Sequence, residues 1–227
     1  MKLSSHNKEG PYELASVGDP SSKKVCIYLA LSCEDSLLLD PFNQPVQYLV
    51  QEGFHVISCT IPGHKPPLKK ERAMEYWEEE LSQNNDILTP FFDFVASYID
   101  TFDHPVSIMG LSRGCFCALH IASRTKNISH MVLFAPLLSF KHVSTPFDYD
   151  QIAKCEVYIA IGNNDRRVST QKTVDFYTKL IEKGEKTHKS LPYYLRLNPS
   201  IGYMGHGSSK QTFKEGATWL ARGIHLK

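Results

Sequence analysis

The sequence predicts an α/β fold: a mostly parallel central sheet with helices on both faces and no large cap domain. Three observations predict it. Short runs of β-branched and other apolar residues recur along the chain without polar alternation, as strands buried on both faces do: Val25 to Leu29, Phe54 to Cys59, Pro105 to Met109, His130 to Pro136 and Val157 to Ile161. Stretches with helical spacing lie between them, so strand, helix and strand alternate. At 227 residues and 42% hydrophobic content, the chain is long enough for a single domain with a full core.

Taken in order, residues 1–22 lead into the core, with an edge strand and a turn over 11–22 whose chemistry comes from Gly18-Asp19-Pro20-Ser21-Ser22. Val25 to Leu29 is the first core strand. From about Pro45, Val46, Leu49 and Val50 stand at helical spacing and lead into the strand Phe54 to Cys59. Residues 62–84 form a charged surface insertion, with Lys65, Lys69, Lys70, Glu71 and Arg72 followed by Glu75, Glu78, Glu79 and Glu80. This reads as an exposed loop and helix, either a solvated face or a flank of the functional cleft. Ile87 to Phe102 is a second long helix, buried along Leu88, Phe91, Phe92, Val95 and Ile99.

Pro105 to Met109 then reads as a strand, Cys115 to Ser123 as a helix of small and apolar residues, and His130 to Pro136 as another buried strand. The connection from Leu137 to Lys154 is too short for a large lid. The run Val157 to Ile161 ends in a Gly-Asn-Asn turn with Asp165 just past it, and Val168 begins a new element. A strand over Leu191 to Leu197, a glycine-rich loop around His206 and a helix from about Lys210 to Arg222 complete the chain, which has no internal repeat and no low-complexity tract.

Charge narrows the function classes. With 25 basic and 24 acidic residues the net charge is +1, which argues against a nucleic-acid footprint or a polybasic membrane anchor. The first ten residues lack an apolar core of the signal-peptide kind, and no apolar run is long enough to span a bilayer, so a soluble cytoplasmic protein is expected. Six cysteines lie mostly in strand-like or buried helical segments, a usage suited to a reducing compartment. Cys115 and Cys117 lack a second ligand pair nearby, so no structural zinc site, and no metal or cofactor, is expected.

The motif that carries chemistry is Gly110-Leu111-Ser112-Arg113-Gly114, a Gly-x-Ser-x-Gly pattern between a strand and a helix. Such a turn strains the backbone at Ser112, needs small neighbours, and projects the hydroxyl outward as a nucleophile. Serine is weakly nucleophilic at neutral pH and needs a base, which in turn needs an orienting acid. Asp165, at a strand end, is the candidate acid, with Asp148 and Asp150 as competitors; His206, in a loop before a helix, is the candidate base. His188 precedes its strand, His120 belongs to the helix after Ser112, His225 follows the last helix, and His64 sits on an early loop out of order.

On these residues, together with Gly53 to His64 and its Pro62-Gly63-His64 ending, the chain resembles serine hydrolases of the α/β-hydrolase fold from about Lys24 onward. It is similar within them to small single-domain esterases and to the dienelactone-hydrolase and prolyl-oligopeptidase branch. The resemblance implies a Ser112, Asp165, His206 triad in that chain order and an oxyanion hole of backbone N–H groups. One donor is expected from Arg113 and the other from Leu31 or Ser32, in a loop without the usual His-Gly start.

The expected reaction is hydrolysis of a small-molecule ester or related acyl substrate through an acyl-enzyme, with activity rising over roughly pH 6 to 7 as a histidine base deprotonates. A thioesterase or peptidase with the same residues, or a non-catalytic binding module, remains an alternative. The side chains of Arg113, Arg166 and Arg167 are either solvated or available to a substrate carboxylate.

Overall fold

The computed structural model describes residues 1–9, 11–64, 72–186 and 193–225. Its centre is one eight-stranded sheet: β1 (Ser5–Glu9), β2 (Tyr12–Val17), β3 (Val25–Leu29), β4 (His55–Cys59), β5 (Val106–Leu111), β6 (Ile128–Phe134), β7 (Glu156–Gly162) and β8 (Tyr193–Asn198), in spatial order β1-β2-β4-β3-β5-β6-β7-β8. From β4 to β8 every neighbouring pair is parallel, whereas β2 runs antiparallel to both β1 and β4. The parallel strands β3 to β7 are the buried apolar runs of the sequence, β8 is partly exposed at the edge of the sheet, and the expected strand Val25–Leu29 is found with the same limits.

Alternation along these strands divides the core in two. Val25, Ile27, Leu29, Ile108, Met131, Leu133, Val157 and Ile159 face one side of the sheet. Cys26, Tyr28, Met109, Val132, Phe134, Tyr158 and Ala160 face the other. The first side is covered by α3 (Ala73–Ser82), α4 (Thr89–Ile99), α5 (Arg113–Ala122), α6 (Tyr149–Ile152) and α7 (Thr170–Lys186). The second is covered by α1 (Cys33–Leu38), α2 (Gln44–Gln51) and α8 (Lys210–His225). The stripe expected for α4 is buried as predicted.

Three differences from the sequence reading have physical causes. The lead-in residues supply two strands rather than one, and β2 is internal because the polar strand Ser5–Glu9 pairs outside it with Ser5 opposite Ser16. The segment after Leu29, expected as a loop, turns at Ser32 into α1, whose N-cap is the Ser32 side chain accepting the Asp35 N–H. In the charged stretch, residues 65–71 lie outside the described residues, but α3 is not merely a solvated face: Trp77 is buried and its Nε1 donates to Pro62 O at 2.7 Å. Among the described residues no helix is long and apolar enough to cross a membrane.

Candidate active site

β5 delivers the chain to Ser112 and α5 carries it away, so the serine sits at a strand-to-helix corner with φ 54° and ψ −115°. That left-handed conformation is costly for a residue with a side chain and persists only where the surroundings enforce it. Here Ser112 N donates to Phe134 O at 2.8 Å, and Ser112 O accepts from Cys115 N and Leu137 N. The two glycines are sterically required: a Cβ on Gly110 would lie 2.6 Å from Cys115 N, and one on Gly114 only 1.8 Å from Leu29 O. Cys115 is buried with Sγ toward Phe134 O at 3.3 Å, a packing role.

The acid loop follows β7. Asp165 is buried, and one carboxylate oxygen accepts the backbone N–H groups of Arg167 at 2.9 Å and Val168 at 3.0 Å. Its own N–H donates to Thr170 Oγ1 at 2.9 Å. The other oxygen is thereby aimed across the sheet end at the loop that follows β8. That loop passes through a 3₁₀ turn at Tyr203–Gly205 before reaching His206. Arg166 N donates to Met204 O at 2.9 Å, and Ser200 Oγ accepts from Asn164 N at 2.7 Å, so the two loops are bound to each other. Gly205 allows the approach: at φ 78°, its Cβ would stand 2.3 Å from Asn164 O.

The outcome is a chain of three groups. His206 Nδ1 lies 2.7 Å from Asp165 Oδ2, and His206 Nε2 lies 2.9 Å from Ser112 Oγ. With the Nδ1 proton donated to the carboxylate, Nε2 is the acceptor for the serine hydroxyl. The imidazole is mostly buried and the carboxylate wholly so, which leaves Coulombic interactions between them little screened.

The competing residues are engaged elsewhere. Asp148 caps α6 by accepting the Gln151 N–H at 3.0 Å, and Asp150 pairs with Lys183 Nζ at 2.8 Å. His120 is buried on α5 among Phe92, Phe116 and Phe147. His64 is buried in the loop after β4, and His225 closes α8. His188 lies outside the described residues.

Ser112 and His206 open into a cleft of about 610 Å³. Its walls include Leu31, Phe42, Met74, Leu111, Leu137, Val168, Ile201 and Phe213, so α3 contributes a wall residue through Met74. None of Phe42, Met74 and Phe213 is marked by a local motif. Arg113 and Arg167 also line the cleft. Burial, with the neighbouring Arg167 charge second, pulls the Arg113 guanidinium down to about 10.

The proposed oxyanion donors are distributed unequally. Arg113 is the first residue of α5, where N–H groups have no acceptor within the helix. Leu31 lines the cleft, but its N–H donates to Ser36 Oγ at 2.9 Å. Ser32, next along, uses its side chain to cap α1.

Comparison with known proteins follows the same lines. A family model described as the dienelactone hydrolase family matches residues 39–192, more than half of the chain; this span contains Ser112 and Asp165 and ends before His206. No curated protein matches the chain. Among solved structures, a cold-adapted esterase from an Arctic intertidal metagenomic library, bound to PEG, is similar at 16% identity and TM-score 0.66, over 98% of this chain and 99% of that one. TT1662 from Thermus thermophilus is similar at 12% identity and TM-score 0.66, over 100% of both chains. The Pyrococcus furiosus esterase Pf2001 follows at 16% identity and TM-score 0.58, over 99% of this chain and 90% of that one. At such identities the likeness is one of fold, here the α/β-hydrolase fold without a large cap.

Proposed function

Because the chain belongs to the dienelactone hydrolase family, we propose that it is a serine hydrolase cleaving a carboxylic ester or related acyl bond through an acyl-enzyme. The observation that carries this reading is His206, bridging Ser112 at 2.9 Å and Asp165 at 2.7 Å. In the proposed reaction Ser112 Oγ attacks the substrate carbonyl while its proton passes to His206 Nε2. Asp165 holds the tautomer and stabilises the imidazolium. The imidazolium then protonates the leaving oxygen, and a water activated by the same nitrogen releases the acid product and restores the serine.

The developing oxyanion takes one hydrogen bond from Arg113 N–H. The second comes from the loop after β3, either from Ser32 or from Leu31 after its N–H exchanges Ser36 Oγ for the substrate oxygen. Arg113 and Arg167, which line the cleft beside its apolar walls, support a substrate with a carboxylate beside its acyl chain. The chain acts as one α/β domain over residues 1–227. Its six free, buried cysteines support a cytoplasmic setting.

The deciding experiment is covalent labelling with a fluorophosphonate. The folded wild-type protein is expected to label and Ser112→Ala is expected not to; wild type that folds but does not label sinks the proposal in favour of a binding module. Esters of graded acyl length, screened beside thioesters and aminoacyl amides, then separate an esterase from a thioesterase or peptidase.

A further inference from the structure

At the antiparallel corner of the sheet, three ligand-type side chains from separate elements converge. His6 lies on β1 opposite Ala15, Glu13 stands two residues from Ala15 on the same face of β2, and Cys33 begins α1. A ring nitrogen of His6, a carboxylate oxygen of Glu13 and the sulfur of Cys33 all lie within 4.8 Å of one another. His6 Nε2 is 3.9 Å from Cys33 Sγ. A tetrahedral zinc ion, with Zn–S about 2.3 Å and Zn–N about 2.0 Å, holds its sulfur and nitrogen ligands about 3.6 Å apart. The His6–Cys33 pair is therefore within a few tenths of an ångström of a zinc-ligand spacing, and Glu13, with its oxygen within 4.8 Å of both, reaches the ion by rotating its side chain. Among the described residues this is the one group of three such ligands.

A second observation concerns the sulfur. Thr60 Oγ1 accepts the Cys33 N–H at 3.0 Å, and Thr60 is itself fixed by its N–H donating to Glu13 O at 2.9 Å. These two bonds tie the start of α1, which carries the sulfur, to β2, which carries Glu13, so the two ligands are held in place by backbone contacts. Imidazole, carboxylate and thiolate together suit a borderline divalent ion rather than calcium or magnesium, which prefer oxygen donors.

We propose that His6, Glu13 and Cys33 bind one divalent transition-metal ion of the zinc class, with a water completing the fourth position on the exposed His6 side. Binding replaces the Cys33 S–H bond by a metal–sulfur bond and releases one proton to solvent. The site joins the β1–β2 hairpin to the loop that begins at Ala30 and lines the cleft, so occupancy fastens that loop from behind. The site is independent of the hydrolase reading, since its signature is optical.

Cobalt(II), titrated alone into the full chain under reducing, metal-free conditions, is the test. A thiolate-to-cobalt charge-transfer band is expected to saturate at one equivalent and to be bleached by zinc. Cys33→Ser should abolish it, and Ser112→Ala should leave it unchanged. His6→Gln, a substitution at an exposed position, is expected to weaken binding by about tenfold or more, and it keeps the test valid if Cys33→Ser does not fold. No charge-transfer band in wild type, or a band that survives both substitutions at unchanged affinity, overturns the proposal.

Discussion

The carbonyl of Leu29 occupies the space where a side chain at Gly114 would begin, since a Cβ there would stand 1.8 Å from the oxygen. Both atoms belong to backbone, one at the end of β3 and the other in the first turn of α5, so neither can swing aside. This contact sets how closely the helix after Ser112 approaches the strand that feeds the oxyanion loop. Gly114→Ala must push the two apart, and a destabilisation of about 2–4 kcal/mol is expected. Thermal or denaturant unfolding of the variant checks it; a midpoint equal to that of the parent would mean the approach is slack.

Asp165 and Asp148 separate a positioning role from a structural one. Asp165→Asn keeps the shape but can donate to His206 Nδ1, which turns the imidazole to the wrong tautomer; a loss of about 10⁴ in kcat is expected. Asp148→Ala removes only the cap of α6, at a cost of about 1 kcal/mol, and should leave kcat within a few-fold of wild type, roughly the scatter of a surface change. Steady-state kinetics on one ester distinguishes them. If the two variants lose activity equally, the acid has been misassigned.

Arg167 tests the charge of the substrate. It is exposed at the cleft rim, and its guanidinium is close enough to lower the basicity of Arg113. Arg167→Ala is expected to reduce kcat/KM by about 10-fold or more for an ester carrying a carboxylate, the scale of a lost charged hydrogen bond. An uncharged ester of the same length should be nearly unaffected. Equal losses on both esters would assign Arg167 to holding the acid loop instead.

Legibility in the sequence followed burial. Strands β3 to β7 were readable because most of their residues are buried and apolar, and Val25–Leu29 has the expected limits. β1 was not, because Ser5-His6-Asn7-Lys8-Glu9 is polar throughout and lies at the edge of the sheet. For α7, only its beginning near Val168 was anticipated, although the buried Thr173, Phe176, Leu180 and Gly184 already stand three or four residues apart. Ser112, Asp165 and His206 were legible because each follows a strand end, which fixes its side of the sheet. The bond from Leu31 N–H to Ser36 Oγ and the apolar walls at Phe42 and Met74 were not, since each depends on how the segments after β3 and β4 fold back toward the cleft.

His120 gives a pH dependence of stability unconnected with the reaction. The ring is about 1% exposed, stacks on Phe92 at 4.8 Å, and has no hydrogen-bond partner at either nitrogen among the described residues. Burial first, and the Arg124 charge second, depress it to about 4 from the ordinary 6.5. In the unfolded chain the imidazole therefore binds a proton between about pH 6.5 and 4 that the folded form refuses, so the folded state loses stability as pH falls through this window and gains none above it. A shift of this size corresponds to up to about 3 kcal/mol at the acid end. His120→Phe, which supplies a ring without a titrating group, should flatten that arm of the stability curve while leaving the neutral plateau within about 1–2 kcal/mol of wild type, the range for near-isosteric core exchange. Urea unfolding of both proteins at pH 4.5, 5.5 and 7.5 measures the difference. If the gap between them does not widen toward acid, the cause of acid sensitivity lies in another group.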